Sequence, residues 1–113
     1  MTLNCIIIDD EPLAAGLLAS YAKKTLFLNL VGVFNSAVEG IKCIRENKVD
    51  LIFLDIQMPE LSGLEFARIL PKETKIIFTT AFSQYAIEGY KANAVDYLMK
   101  PISYDDFLAG ANR

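Results

Sequence analysis

The stretch VDLIFLDIQMPELSG, residues Val49 to Gly63, decides the fold. Leu51 to Leu54 are four apolar residues in a row, the pattern of a strand covered on both faces. The run then stops on a single carboxylate, Asp55, followed at once by Met58-Pro59 and a Ser62-Gly63 turn. A buried strand ending on an acid is explained if the strand is a rigid support that carries the carboxylate to a solvent-facing crevice. Pro59 and Gly63 then shape the turn and start the next helix.

Similar runs flank it on both sides. Strand candidates are Leu3–Ile8, Leu28–Phe34, Leu51–Leu54, Lys75–Thr80 and Ala94–Met99. Between them lie amphipathic patterns. In EPLAAGLLASYAKK, Leu13, Leu17, Leu18 and Tyr21 fall on one helical face, with Pro12 in the first turn and lysines in the last. SAVEGIKCIREN places Ala37, Ile41 and Ile44 together behind a Ser36 cap. GLEFARIL ends at Pro71, which cannot continue a helix. SQYAIEGYKAN is weaker because of its central Gly89, and SYDDFLAGANR opens with Ser103 and Asp106 at capping-box spacing. Five strands alternating with five helices over short links predict a doubly wound α/β domain with a parallel sheet and right-handed crossovers. The strand order 2-1-3-4-5 is borrowed from flavodoxin-like (βα)5 domains, since the residue pattern alone does not fix it.

The totals narrow the function. A chain of 113 residues supports one core. With 53% hydrophobic and 22% charged residues it reads as globular. Net charge is −3 and the one adjacent basic pair is Lys23-Lys24, so the clustered basic face of a nucleic-acid binder is missing. MTLNCIIIDDEP has no positive charge ahead of its short apolar run and does not read as a secretory signal. No stretch approaches the roughly 18 apolar residues of a membrane span. A cytoplasmic location is expected, with Cys5 and Cys43 as reduced core thiols. Histidine is absent, which excludes His-based catalysis and His-ligated zinc. The last helical pattern stops at Arg113 after about three turns, which suggests a piece of a longer protein, with a short natural chain as the alternative.

In such a sheet, ligands bind outside the carboxyl ends of the strands. Those ends carry Asp9-Asp10-Glu11, Asp55, Thr79-Thr80 and Lys100-Pro101. Each alone has a plain reading: a helix cap for Asp9-Asp10 or Asp55, a β-former for Thr80, a loop lysine for Lys100. Together they put carboxylates, a hydroxyl and an ammonium group on one edge. Carboxylates crowded in one crevice repel unless a cation sits among them. Mg²⁺ suits oxygen ligands and accepts phosphate oxygens, whereas zinc lacks its usual donors here. A carboxylate beside Mg²⁺ can attack phosphorus and form an aspartyl phosphate. Metal, lysine and threonine can then cover the three equatorial oxygens.

The segments IIIDDEP, LIFLDIQMPELSG, IIFTTAF and AVDYLMKP, in this order and spacing, resemble the receiver domain of bacterial two-component response regulators over the whole chain. The stretch Thr80–Pro101 is further similar to receivers that precede LytTR-type DNA-binding domains. The resemblance implies one receiver domain over residues 1–113, belonging to a longer regulator with a C-terminal output domain. It implies that Asp55 is phosphorylated by a sensor histidine kinase, and that Asp10 and Asp55 bind Mg²⁺ directly. Asp9 would assist through water and Gln57 through its backbone carbonyl. Thr80 would hydrogen-bond the phosphoryl group and Lys100 would pair with it, across a cis Lys100-Pro101 bond. Thr80 and Tyr97 would form a switch. The face made by the fourth helical pattern (Tyr85, Ile87, Tyr90, Lys91), the fifth strand and the fifth helix would serve the output domain or a homodimer. Such a domain catalyses only its own phosphorylation and dephosphorylation. It is not otherwise an enzyme and binds neither nucleic acid nor membrane itself.

Two other classes are weighed against this. A Mg²⁺-dependent phosphohydrolase of the haloacid-dehalogenase type carries Asp-x-Asp after its first strand, whereas Asp9 and Asp10 are adjacent and Asp55 is distant. A flavin-binding flavodoxin-like module needs a Ser/Thr/Gly-rich loop where this chain has DDEP.

Overall fold

The computed structural model describes residues 2–58, 62–81 and 96–112. Its elements run β1 (Leu3–Ile8), α1 (Pro12–Lys23), β2 (Leu28–Phe34), α2 (Ala37–Glu46), β3 (Leu51–Asp55), α3 (Gly63–Arg68), β4 (Lys75–Thr80), β5 (Asp96–Met99) and α4 (Tyr104–Ala111). All strand pairs are parallel and the sheet order is β2-β1-β3-β4-β5. This is the flavodoxin-like doubly wound order. The fourth helical pattern, which carries Tyr85, Ile87, Tyr90 and Lys91, lies outside the described residues, as do Pro59, Phe82 and the first two residues expected of the fifth strand.

Strand alternation sorts the core into two layers. Cys5, Ile7, Leu51, Phe53, Ile77 and Leu98 face α1 and α4 and pack with Leu18, Ala22 and Phe107. Ile6, Ile8, Ile52, Leu54, Ile76 and Phe78 face the other way, onto α2 and Phe66 of α3. Burial on both faces is why the central runs of β1 (Cys5–Ile8), β3 (Leu51–Leu54) and β4 (Ile76–Phe78) are apolar. Phe53 and Phe107 stack at 4.6 Å, fixing α4 over the middle of the sheet. Gly40 lets α2 approach β1 closely, because a Cβ there would sit 2.4 Å from Ile8 Cδ1. Both cysteines are free and buried, and burial pushes the Cys5 thiol up to about 11.

Two helices differ from expectation. The buried face of α1 is Ala15, Leu18, Ala19 and Ala22, while Leu13 is 91% exposed and Leu17 40%. Small alanines let α1 lie close to the sheet, so the bulkier leucines one step around the helix are left outside. The third helix ends at Arg68, before Pro71 rather than at it. Its start carries a reciprocal cap that the sequence pattern did not reveal: Glu65 N–H donates to Ser62 Oγ and Ser62 N–H to Glu65 Oε1. The Ser36 and Ser103 caps form as expected, each hydroxyl accepting from the amide three residues on.

Candidate functional site

The site is built where β1, β3, β4 and β5 end side by side. Asp55 is the last residue of β3 and pairs in the ladder with Thr79. Asp9 follows β1 directly, its N–H donating to the Phe34 carbonyl and its own carbonyl accepting from Asn35 Nδ2. Past the end of β5, Lys100 N–H donates to the Thr80 carbonyl at 2.7 Å, so the lysine is held against the end of β4. The Lys100-Pro101 bond is cis.

Charges converge here. Lys100 Nζ lies 2.7 Å from Glu11 Oε1, 3.0 Å from Asp9 Oδ2 and 3.6 Å from Asp55 Oδ2. Asp9 and Asp55 are almost wholly buried, while the Glu11 side chain is 64% exposed. One carboxylate oxygen from each of Asp9, Glu11 and Asp55 lies within 4.8 Å of the other two. The second oxygens are tied locally: Asp9 Oδ1 accepts from Glu11 N–H and Asp55 Oδ1 from Gln57 N–H. Asp9 Oδ2 is buried 3.0 Å from Lys100 Nζ, an ion-pair contact, and like the buried Thr79 Oγ1 it has no hydrogen-bond partner among the described residues.

The titration behaviour follows. Burial pushes the Asp55 carboxyl up to about 8, helped by the Asp9 charge and a side-chain hydrogen bond with Asp10. Lys100 and the Gln57 amide pull it down, but not enough to offset burial. Burial acts to lower Lys100, but its contacts with Glu11, Asp9 and Asp55 outweigh this and leave it above its ordinary value. Glu11 is lowered by its hydrogen bond to Lys100.

Of the residues singled out from sequence, Asp9, Asp55 and Lys100 meet through direct side-chain contacts. Asp10 adds to the forces that raise the Asp55 carboxyl but lies outside the group of three oxygens. Thr80 is fully buried and attached to the site through the backbone of Lys100. Gln57 is exposed and contributes its amide to Asp55. Tyr97 sits opposite Phe78 in the ladder, half-buried against the α2 side of the core. Glu11 stands in the sequence only as part of an acidic run. Its contact with a lysine 89 positions away has no local signal.

Oxygen donors alone, three acids around one ammonium, and a buried carboxylate oxygen without a donor together fit a hard divalent cation.

Comparison with known proteins settles the family. Residues 5–112 match the response regulator receiver domain. The chain belongs to that family. Over 102 residues it is 43% identical to the transcriptional regulatory protein BtsR of Escherichia coli, covering 88% of this chain and 43% of BtsR. A response regulatory protein of Vibrio cholerae is 41% identical over 102 residues, again 88% of this chain and 43% of the relative. The chain thus spans less than half the length of these relatives. The response regulatory domain of MrkE from Klebsiella pneumoniae superposes with a TM-score of 0.87 at 31% identity, covering 97% of this chain and 93% of that one. A BeF3-activated DrrB receiver shares the fold at a TM-score of 0.85 and 22% identity, covering all of this chain and 97% of the other. A receiver is a signalling domain, and family membership does not favour the phosphohydrolase or flavodoxin readings. Among the described residues no helix is long and apolar enough to cross a membrane.

Proposed function

We propose that this receiver accepts a phosphoryl group on Asp55 from a sensor histidine kinase, in a Mg²⁺-dependent reaction. The observation that carries the reading is a buried carboxylate at a strand end, with one oxygen tethered and the other turned toward a lysine. Asp55 Oδ1 is held by the Gln57 amide, which leaves Oδ2, 3.6 Å from Lys100 Nζ, as the attacking atom. The Oδ2–P bond forms as the P–N bond of the donor phosphohistidine breaks. Lys100 needs to move little to pair with a phosphoryl oxygen, and the Thr80 hydroxyl is the proposed donor to another.

Asp9, Asp10 and Asp55, with the Gln57 carbonyl, are the proposed holders of Mg²⁺, with Glu11 beside them. When bound, the ion would supply charge neutralisation for the carboxylates and the transferring group. Neutralisation matters for the nucleophile itself. A carboxyl that burial pushes up to about 8 is mostly protonated at neutral pH and a poor attacker until a cation restores its charge.

Exposed Leu13 and Leu17 border a groove of about 380 Å³ next to Lys100 and Pro101, an apolar landing place for the donor protein. Phosphorylation adds roughly −1.5 to −2 charge units at Asp55. Thr80 and Tyr97 are the proposed switch, acting on the face that includes β5 and α4 and engaging an output domain or a second copy. The likeness to BtsR, named a transcriptional regulatory protein, favours a transcriptional output, and the resemblance of Thr80–Pro101 to receivers that precede LytTR-type domains supports an output of that type. A cytoplasmic location accords with a kinase donor.

Intact mass after incubation with acetyl phosphate and Mg²⁺ tests the core of this. One added phosphoryl group, absent in Asp55→Asn and in EDTA, is expected. A folded protein that takes up the group equally well in the Asn variant would sink the assignment.

A further inference from the structure

Lys100 lies in the short link between β5 and α4, and its position depends on what holds that link. Before it, the Lys100 N–H to Thr80 carbonyl bond fixes one side. After it, the carbonyl of buried Ile102 accepts a 2.8 Å hydrogen bond from the hydroxyl of Tyr21, 81 residues earlier on α1. We propose that Tyr21 is a positioning residue for Lys100, locking the link through Ile102 so that the ammonium group meets Asp9, Glu11 and Asp55. The part that concerns phosphoryl transfer rests on the function proposed for Asp55.

The surroundings make Tyr21 a rigid post. Its ring packs at 5.3 Å against Tyr104 and 5.4 Å against Phe107, both on α4. The Tyr104 hydroxyl is within 3.1 Å of Thr25 Oγ1, and Lys24 Nζ lies 4.1 Å from the Tyr104 ring centroid. Thr25 in turn donates to the Tyr21 carbonyl at 2.7 Å. These contacts fix α1 to α4 without the Tyr21 hydroxyl. That hydroxyl reaches past them to the link itself, so its effect on Lys100 is separable from its ring's effect on the fold. Without it the Ile102 carbonyl is buried with one donor fewer, and the link is free to shift. A shift of a few tenths of an ångström already matters against contacts of 2.7, 3.0 and 3.6 Å.

Tyr21→Phe keeps the ring and removes only the hydroxyl. Without acetyl phosphate, the ¹³Cε resonance of Lys100, identified by its loss in Lys100→Ala, should move clearly in Tyr21→Phe. With acetyl phosphate and saturating Mg²⁺, phosphorylation should slow roughly three- to tenfold, the range expected for one net hydrogen bond. Mg²⁺ affinity by calorimetry should stay within about twofold, since no proposed ligand is touched. In a Lys100→Ala background, Tyr21→Phe should have no further effect on the rate, whereas a general loss of packing would slow both backgrounds alike. An unmoved Lys100 resonance, or an equal slowing in both backgrounds, overturns the role of Tyr21. Failure of the wild-type protein to take up phosphate overturns the Asp55 reading instead, and the resonance still decides the role of Tyr21.

Discussion

Replacing Asp55 with Asn should make the protein more stable at neutral pH in the absence of divalent metal. Asp55 is 3% exposed, and burial beside Asp9 and Asp10 pushes its carboxyl from 3.8 up to about 8. Between those values the folded chain holds a proton that the unfolded chain has released. Stability therefore falls as pH rises, by up to about 1.4 kcal/mol per pH unit. The favourable contribution is fully present below about pH 3.8 and is lost as pH approaches 8. At pH 7 the accumulated loss has an upper bound of about 4 kcal/mol. Asparagine stays neutral and keeps an acceptor for the Gln57 amide, but gives up the 3.6 Å attraction to Lys100. A net gain on the order of 2 kcal/mol is expected, about 8 °C in Tm for a domain of this size. Thermal unfolding in EDTA, followed by circular dichroism from pH 4 to pH 8, measures it. The advantage of Asn should be small at pH 4, grow with pH, and shrink when Mg²⁺ is added, because binding should stabilise the chain that keeps all its proposed ligands more than the one that has lost a carboxylate. An Asn variant no more stable than wild type at pH 7, or an advantage that does not change with pH, would refute the reasoning.

Other substitutions probe the parts separately. Lys100→Ala removes the one ammonium group that, among the described residues, contacts buried Asp9, and should cost about 2–4 kcal/mol in urea unfolding at pH 7 in EDTA. Gly40→Ala drives a Cβ to 2.4 Å from Ile8 Cδ1 and should destabilise by about 1–3 kcal/mol. Adding Ile8→Val removes that methyl and should restore part of the loss in the same assay. Ser103→Ala deletes the hydroxyl that accepts from Asp106 N–H and should cost about 1 kcal/mol, read by thermal unfolding.

How much of this was legible in the sequence depended on the range of the forces involved. The bounds of strands Leu3–Ile8, Leu28–Phe34 and Lys75–Thr80 agree with the sequence pattern, because a run rich in β-branched, leucine and aromatic residues leaves little freedom over so short a span. The Ser36 and Ser103 caps were legible because a cap reaches only three residues along the chain. Half of the expected α1 face holds, since Leu18 and Tyr21 pack on the core, while Leu13 and Leu17, expected there because the pattern ranks leucine above alanine, lie outside. Which of two adjacent apolar stripes is buried depends on how closely the sheet lets the helix approach, and that is settled by residues far away. The strand-end acids and Lys100 were picked out from topology alone. That Lys100 approaches Glu11 more closely than Asp55 was not, because the reach of a long side chain among several carboxylates is a three-dimensional balance.

The same balance explains why the site tolerates so unfavourable an arrangement. Asp9 and Asp55, packed at the ends of apolar strands, cost stability whenever both are charged, and a single lysine shared with Glu11 offsets only part of that. An apolar residue at position 55 would give a steadier domain. On the proposed function the deficit is useful: carboxylates short of positive charge would attract a divalent ion, whose charge would favour the ionised, reactive form of Asp55. Lys100 then matters as a charge on a tether. It lies near enough to Asp55 to follow a new phosphoryl group, and it is engaged mainly with Glu11 and Asp9, which it must partly release to do so. Because Glu11 is mostly exposed, its hold on Lys100 is screened by water and salt. Releasing that contact costs little, so the larger charge at Asp55 can win the lysine over.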